Sequence, residues 1–105
     1  MTTKVRPSSG NVFRDLGFTA EEAESLRLRA ELMTRIRRLI QGRKLTQAAA
    51  ARLFGVTQPR VSDLVRGKID LFSIDTLVDM LARAGVRVRF TIHRGPSTPR
   101  GRAAA

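Results

Sequence analysis

The stretch TQAAAARLFGVTQPRVSDLVRGK, Thr46 to Lys68, reads as two short helices joined across Gly55. Thr46 is an N-cap residue, and Gln47–Phe54 contains the run Ala48-Ala49-Ala50-Ala51, which has the highest helix propensity available. Gly55 ends that helix in the left-handed geometry that costs glycine least. Thr57 caps the second helix, and Pro59 fits its first turn, where the backbone N–H has no helical acceptor anyway. This helix runs to about Arg66 and stops at Gly67.

Counting from Gly55 shows why a bland helix faces a polar one. Ala50 and Ala51 lie five and four positions before it, and Phe54 one before; Val56, Val61 and Leu64 lie one, six and nine after. Two helices that cross steeply over so short a turn need a small residue where the second passes over the first. They also need apolar residues at the flanking positions to fill the shared core. The spacing matches the helix-turn-helix unit. Val65 is placed inward with Val61 and Leu64.

Working outward, Thr19 with Glu22 three residues on predicts a capping box, and a helix follows from about Ala20 to Gln41. Its core-facing stripe is Leu32, Ile36, Leu39 and Ile40, with Met33 beside it, and Gly42 is its stop. The short apolar segment Val12, Phe13, Leu16, Phe18 precedes it. After the central unit, Ile69 to Phe72 reads as a loop or short turn. Ser73 caps a helix from about Ile74 to Ala84, with Ile74, Leu77, Val78 and Leu81 on one face. Then the period changes to two. Val86, Val88, Phe90 and Ile92 alternate with Arg87, Arg89, Thr91 and His93, which predicts a strand with one apolar face. Residues 1–11 and 94–105 read as a disordered N-terminal arm and a disordered basic tail, leaving one domain over 12–93.

Composition narrows the function. Twenty Lys and Arg against nine Asp and Glu leave a charge of +11, which points to a polyanionic partner, nucleic acid before membrane. The charge is concentrated. Between Leu32 and Ile69 stand Arg35, Arg37, Arg38, Arg43, Lys44, Arg52, Arg60, Arg66 and Lys68 against the lone acid Asp63. With no Cys and a single His, which reads as a surface residue, thiolate chemistry and a His-rich metal site are excluded. Asp75 and Asp79 share a helix face without a His to join them. No cofactor and no enzymatic activity are expected. No apolar run is long enough to cross a membrane and no secretory leader is visible, so the expected location is the cytoplasm.

The segment LTQAAAARLFGVTQPRVSDLVRGK resembles the Cro/repressor, or XRE, family of helix-turn-helix regulators. Thr-Gln opens the first helix of the unit, alanine and glycine stand at the turn, and Thr-Gln opens the second helix. The flanks NVFRDLGFTAEEAESLRLRAELMTRI and FSIDTLVDMLARAGVRVRF resemble a branch containing HigA-like antitoxins and stand-alone repressors. The resemblance covers about residues 11–93. It implies a mostly α, lambda-repressor-like bundle of four to five helices, here with one C-terminal β-strand. It also implies Gln47 as a phosphate ligand that braces the second helix.

A recognition helix meets the major groove with its N-terminal end, which brings Thr57 to Asp63 toward the bases. Gln58 suits adenine, Arg60 suits guanine, Pro59 offers apolar contact to a thymine methyl, and Ser62 reaches base or phosphate. Asp63 either accepts from cytosine or orients Arg60 or Arg66, the latter being the preferred reading. Arg43, Lys44, Arg66 and Lys68 flank the unit as phosphate contacts. A lone strand seeks another edge, so Val86, Val88, Phe90 and Ile92 are expected at a homodimer interface; the alternatives are an extended tail packed on its own domain and an N-terminal strand as the partner. The expected function is a dimeric repressor on a pseudo-palindromic double-stranded operator. The alternative is an antitoxin that neutralises a toxin protein and represses its own operon.

Overall fold

The computed structural model describes residues 12–92 and 94. The readings of residues 1–11, of His93 and of the tail beyond Arg94 lie outside the described residues. Five α-helices and one 3₁₀ turn follow in order: α1 (Val12–Asp15), α2 (Ala20–Gly42), α3 (Gln47–Phe54), α4 (Gln58–Val65), the 3₁₀ turn (Ile69–Leu71) and α5 (Ile74–Arg83).

Each helix after the first starts on a hydroxyl. Thr19, Thr46, Thr57 and Ser73 accept from the backbone N–H of Glu22, Ala49, Arg60 and Thr76 at 3.1, 3.0, 3.4 and 3.1 Å. Such caps contribute about 1 kcal/mol each. At Thr19 the box is complete, because the Glu22 carboxylate accepts from the Thr19 N–H at 3.0 Å. On the exposed side of α2, Arg27 lies 2.6 Å from Glu24 and 3.4 Å from Glu31.

The core forms where α2, α3, α4 and α5 meet. Met33, Ile36, Ala50, Ala51, Phe54, Val61, Leu64, Phe72, Leu77, Met80 and Leu81 are buried in one cluster. Leu32, Leu39, Ile40, Val56, Val86 and Val88 pack against it half-buried. Phe72 and Met80 were absent from the periodic reading: Phe72 belongs to no helix, and Met80 lies one position off the α5 stripe. Ala23 and Leu26 are buried further along α2, toward α1.

The structure departs from the sequence reading at three places. The left-handed residue that closes α2 is Lys44 (φ 53°), not Gly42. Gly42 is the last helical residue, Lys44 N–H donates to the Gln41 carbonyl at 3.1 Å, and Leu45 N–H donates to that of Ile40 at 2.9 Å. This is the paired closure that normally takes glycine at the Lys44 position. Val65 is 42% exposed rather than inward. It lies at the C-terminal end of α4, beyond the crossing with α3, and lines a shallow surface with Arg37, Arg38 and Ile40. Finally, the expected strand Val86–Ile92 is not formed: the described residues contain no strand. Val86 and Val88 rest on the core, but Phe90 is 49% and Ile92 95% exposed. Alternation alone cannot make a strand, because the ladder needs a second edge.

Gly55 does hold the left-handed conformation (φ 72°), and its α carbon lies under the Arg83 side chain of α5. A Cβ there would come within 2.5 Å of Arg83 Cδ. Gly55→Ala is therefore expected to cost about 1–2 kcal/mol, lowering the melting temperature by roughly 5–15 °C. Gly42 is helical with nothing within 4 Å of an added Cβ, so Gly42→Ala should raise stability by about 0.4–1 kcal/mol. Thermal melts of the two variants moving in the same direction would contradict this account of the turn.

Candidate nucleic-acid interface

Helices α3 and α4 pack directly on each other. Ala50 and Ala51 are buried at their crossing, with Phe54, Val61 and Leu64 around them. Between the helices stand Gly55, Val56 and Thr57, and the Val56 N–H donates to the Ala51 carbonyl at 3.0 Å. The small side chains let α4 lie close over α3, and that closeness leaves one face of α4 outside the core.

That face carries the residues singled out in the sequence. Thr57, Gln58 and Pro59 are exposed at the N-terminal end of α4, and Ser62 and Asp63 are half-exposed. Gln47 is exposed as the first residue of α3. Arg43 and Lys44, in the connection entering α3, are exposed, as are Arg66 and Lys68 beyond α4. The Thr57 hydroxyl is already engaged as the α4 cap, so only its remaining hydrogen-bonding capacity is open to a ligand.

Two side chains differ from the expected arrangement. Asp63 pairs with Lys68, its carboxylate 3.7 Å from Nζ, rather than orienting Arg60 or Arg66. The chain reversal after α4 causes this. Gly67 takes φ 77°, and Lys68 N–H donates to the Asp63 carbonyl at 3.0 Å, which carries Lys68 back over the end of the helix. Arg60 turns toward the 3₁₀ turn. Its Nη1 donates to the Leu71 carbonyl at 2.9 Å, and its Cζ stands 4.2 Å from the Phe72 ring centroid.

Two more residues join the region that sequence reasoning did not assign to it. Arg83 of α5 brings a cation to the α3–α4 turn, and Phe72 provides the surface under Arg60. Neither is marked locally: both are placed by the packing of α5 and its N-terminal approach against the central unit. Among the described residues, no group of three or more His, Cys, Asp or Glu could hold a metal ion. No helix there is long and apolar enough to cross a membrane.

A family model described as a helix-turn-helix domain matches residues 12–93. A solved structure assigned provisionally as an XRE family transcriptional regulator is 34% identical, with a TM-score of 0.65. The match covers 80% of this chain and 91% of that one. The chain belongs to the XRE family of helix-turn-helix proteins. A search of curated proteins finds no match. The matched span of this XRE-family chain contains the whole α3–α4 unit.

The Asp63–Lys68 pair makes a prediction about this XRE-family chain. Asp63→Asn removes the only acid between Leu32 and Ile69 and frees Lys68. Affinity for random double-stranded DNA is expected to rise a few-fold, equally across sequences, because phosphate attraction carries no base information. Fluorescence anisotropy on a panel of duplexes reads this out. Loss of preference at a single cytosine would instead assign Asp63 to base reading.

Proposed function

We propose that the protein is a sequence-specific DNA-binding repressor that acts as a dimer on a pseudo-palindromic operator. The observation that carries this reading is the exposed N-terminal end of α4. Gln58, Pro59 and the half-exposed Ser62 stand there, with Arg43, Lys44, Arg66 and Lys68 around the same two-helix unit. In the reading, α4 enters the major groove, with Gln58 and Arg60 reading bases and Thr57, Pro59 and Ser62 adding contacts. Gln47 and the flanking cations hold phosphates.

The dimer rests on the segment after α5. Val86 and Val88 pack on the core while Phe90 and Ile92 stay exposed, and the segment has no hydrogen-bonded strand beside it. A second copy supplies the missing edge and covers the two apolar side chains. One α4 spans only a half-site, so two-fold symmetry doubles the readout. Selection from random DNA should return an inverted repeat, and sedimentation at tens of micromolar should show a dimer. A monomer bound to a single half-site would overturn the dimeric arrangement, and failure to enrich any sequence would overturn sequence-specific binding.

A groove of about 820 Å³ favours a second, compatible reading. It lies between α1, α2 and the segment after α5, with Phe13, Leu32 and Val88 on its walls and Arg35, Arg38 and Arg89 beside them. A groove that sets Phe13 and aliphatic side chains beside several arginines has the composition favoured at protein interfaces. On it rests the antitoxin reading, in which the chain also masks a toxin. Co-expression with the product of an operon neighbour tests it: restored growth supports the reading, and unrelieved toxicity counts against it.

A further inference from the structure

We propose that Phe72 and the Leu71 carbonyl form a platform that positions Arg60 for base reading, so that the specificity of α4 is set in part by a residue outside the helix-turn-helix. The inference rests on the DNA-reading function proposed above and deepens it.

Three observations meet at Arg60. Its Nη1 donates to the Leu71 carbonyl at 2.9 Å, its guanidinium carbon lies 4.2 Å from the centre of the Phe72 ring, and its side chain is half-buried. Phe72 is 1% exposed, so the ring cannot swing away to follow the arginine. The carbonyl is fixed as well. The 3₁₀ turn is held by Leu71 N–H donating to the Lys68 carbonyl at 3.1 Å and Phe72 N–H donating to that of Ile69 at 3.2 Å. A second arginine, Arg29 of α2, donates to the Ile69 carbonyl at 3.4 Å and ties the same turn to the longest helix.

The chemistry of the guanidinium makes this contact compatible with reading a base. Arginine carries five N–H donors in a planar fork. One nitrogen is taken by Leu71, and no other described residue hydrogen-bonds Nε or Nη2. The Nε–Nη2 edge is the shape that matches guanine O6 and N7. A free arginine would have to freeze several rotors to present that edge, whereas the platform restricts them before DNA arrives. The aromatic face also selects a planar cation, so lysine would not substitute.

The test combines site selection with a readout on the free protein. Arg60→Ala, Arg60→Lys, Phe72→Leu and Phe72→Met are checked for folding by circular dichroism. The methionine variant, of similar size to leucine but flexible, adapts to the ring's site if leucine destabilises the core. Expected results are as follows. Both Phe72 variants lose discrimination at the same base pair as Arg60→Ala, by about five- to tenfold, while binding to random DNA stays within about twofold. Phe72→Leu adds nothing in the Arg60→Ala background, and Arg60→Lys behaves like Arg60→Ala. By NMR, the Arg60 side-chain protons of the DNA-free protein show a ring-current shift that the Phe72 variants abolish. The proposal is overturned if the Phe72 variants weaken specific and random binding equally, if they change a different base pair, or if the ring-current shift is absent. If the wild-type protein enriches no sequence at all, the DNA-reading function fails instead, while the NMR result still decides whether the platform exists.

Discussion

Replacing Phe54 with alanine is expected to lower the melting temperature by roughly 15–30 °C, a large share of the chain's stability. Phe54 is 1% exposed and belongs to the cluster in which α2, α3, α4 and α5 meet. Large-to-small truncation of a buried phenylalanine costs about 3–5 kcal/mol, because the lost transfer free energy is joined by the cavity left behind. A small domain has only about 5–15 kcal/mol in total. The site cannot readily collapse around the void. Its neighbours Ala50 and Ala51 have no side-chain length to extend into it, and Val61 and Leu64 are held on a helix that Thr57 and Gly67 bracket tightly. Differential scanning calorimetry checks the midpoint. A fall of less than about 5 °C would mean that the core repacks, and would remove the argument that the alanine platform depends on a large residue beside it.

Raising monovalent salt from about 50 to about 200 mM is expected to weaken operator binding by roughly three to five orders of magnitude. The proposed phosphate contacts are Arg43, Lys44, Arg66 and Lys68, and in a dimer they act twice. Releasing that many counterions gives a steep logarithmic slope, close to the number of phosphates neutralised. Arg43→Ala should make the slope shallower by about one per protomer while leaving the selected sequence unchanged. Lys68→Ala should do less, because Asp63 already compensates part of its charge at 3.7 Å. Anisotropy titrations across salt concentrations measure both. A salt-independent affinity would refute electrostatic anchoring by these residues.

Each element of the helix-turn-helix was legible because its signals are local. A hydroxyl three residues before the N–H it caps, a glycine at a left-handed position, and small or apolar residues at set distances from that glycine are all fixed along the chain. Gln58 and Pro59 were legible as exposed for the same reason, since their neighbours Val61 and Leu64 define the buried side of one helix. Val65 shows where this reasoning stops. The helical wheel turns it inward, but at the end of α4 it meets only a shallow surface of α2 beside Arg37, Arg38 and Ile40, which leaves it 42% exposed.

The amino-acid sequence by itself determined the XRE-type two-helix unit, its caps, its basic surroundings and the polar face of α4. Tertiary structure alone decided the approach of Arg83 to Gly55 and the seat of Arg60 on Phe72, whereas the closure of α2 on Lys44 and the pairing of Asp63 with Lys68 are made by the chain reversals that follow α2 and α4. In each case the partner comes from beyond the helix concerned, and the spacing of residues along one helix carries no information about it. The segment Val86–Ile92 marks the same boundary: its alternation declares an apolar face, but a strand exists only where a second edge accepts its hydrogen bonds.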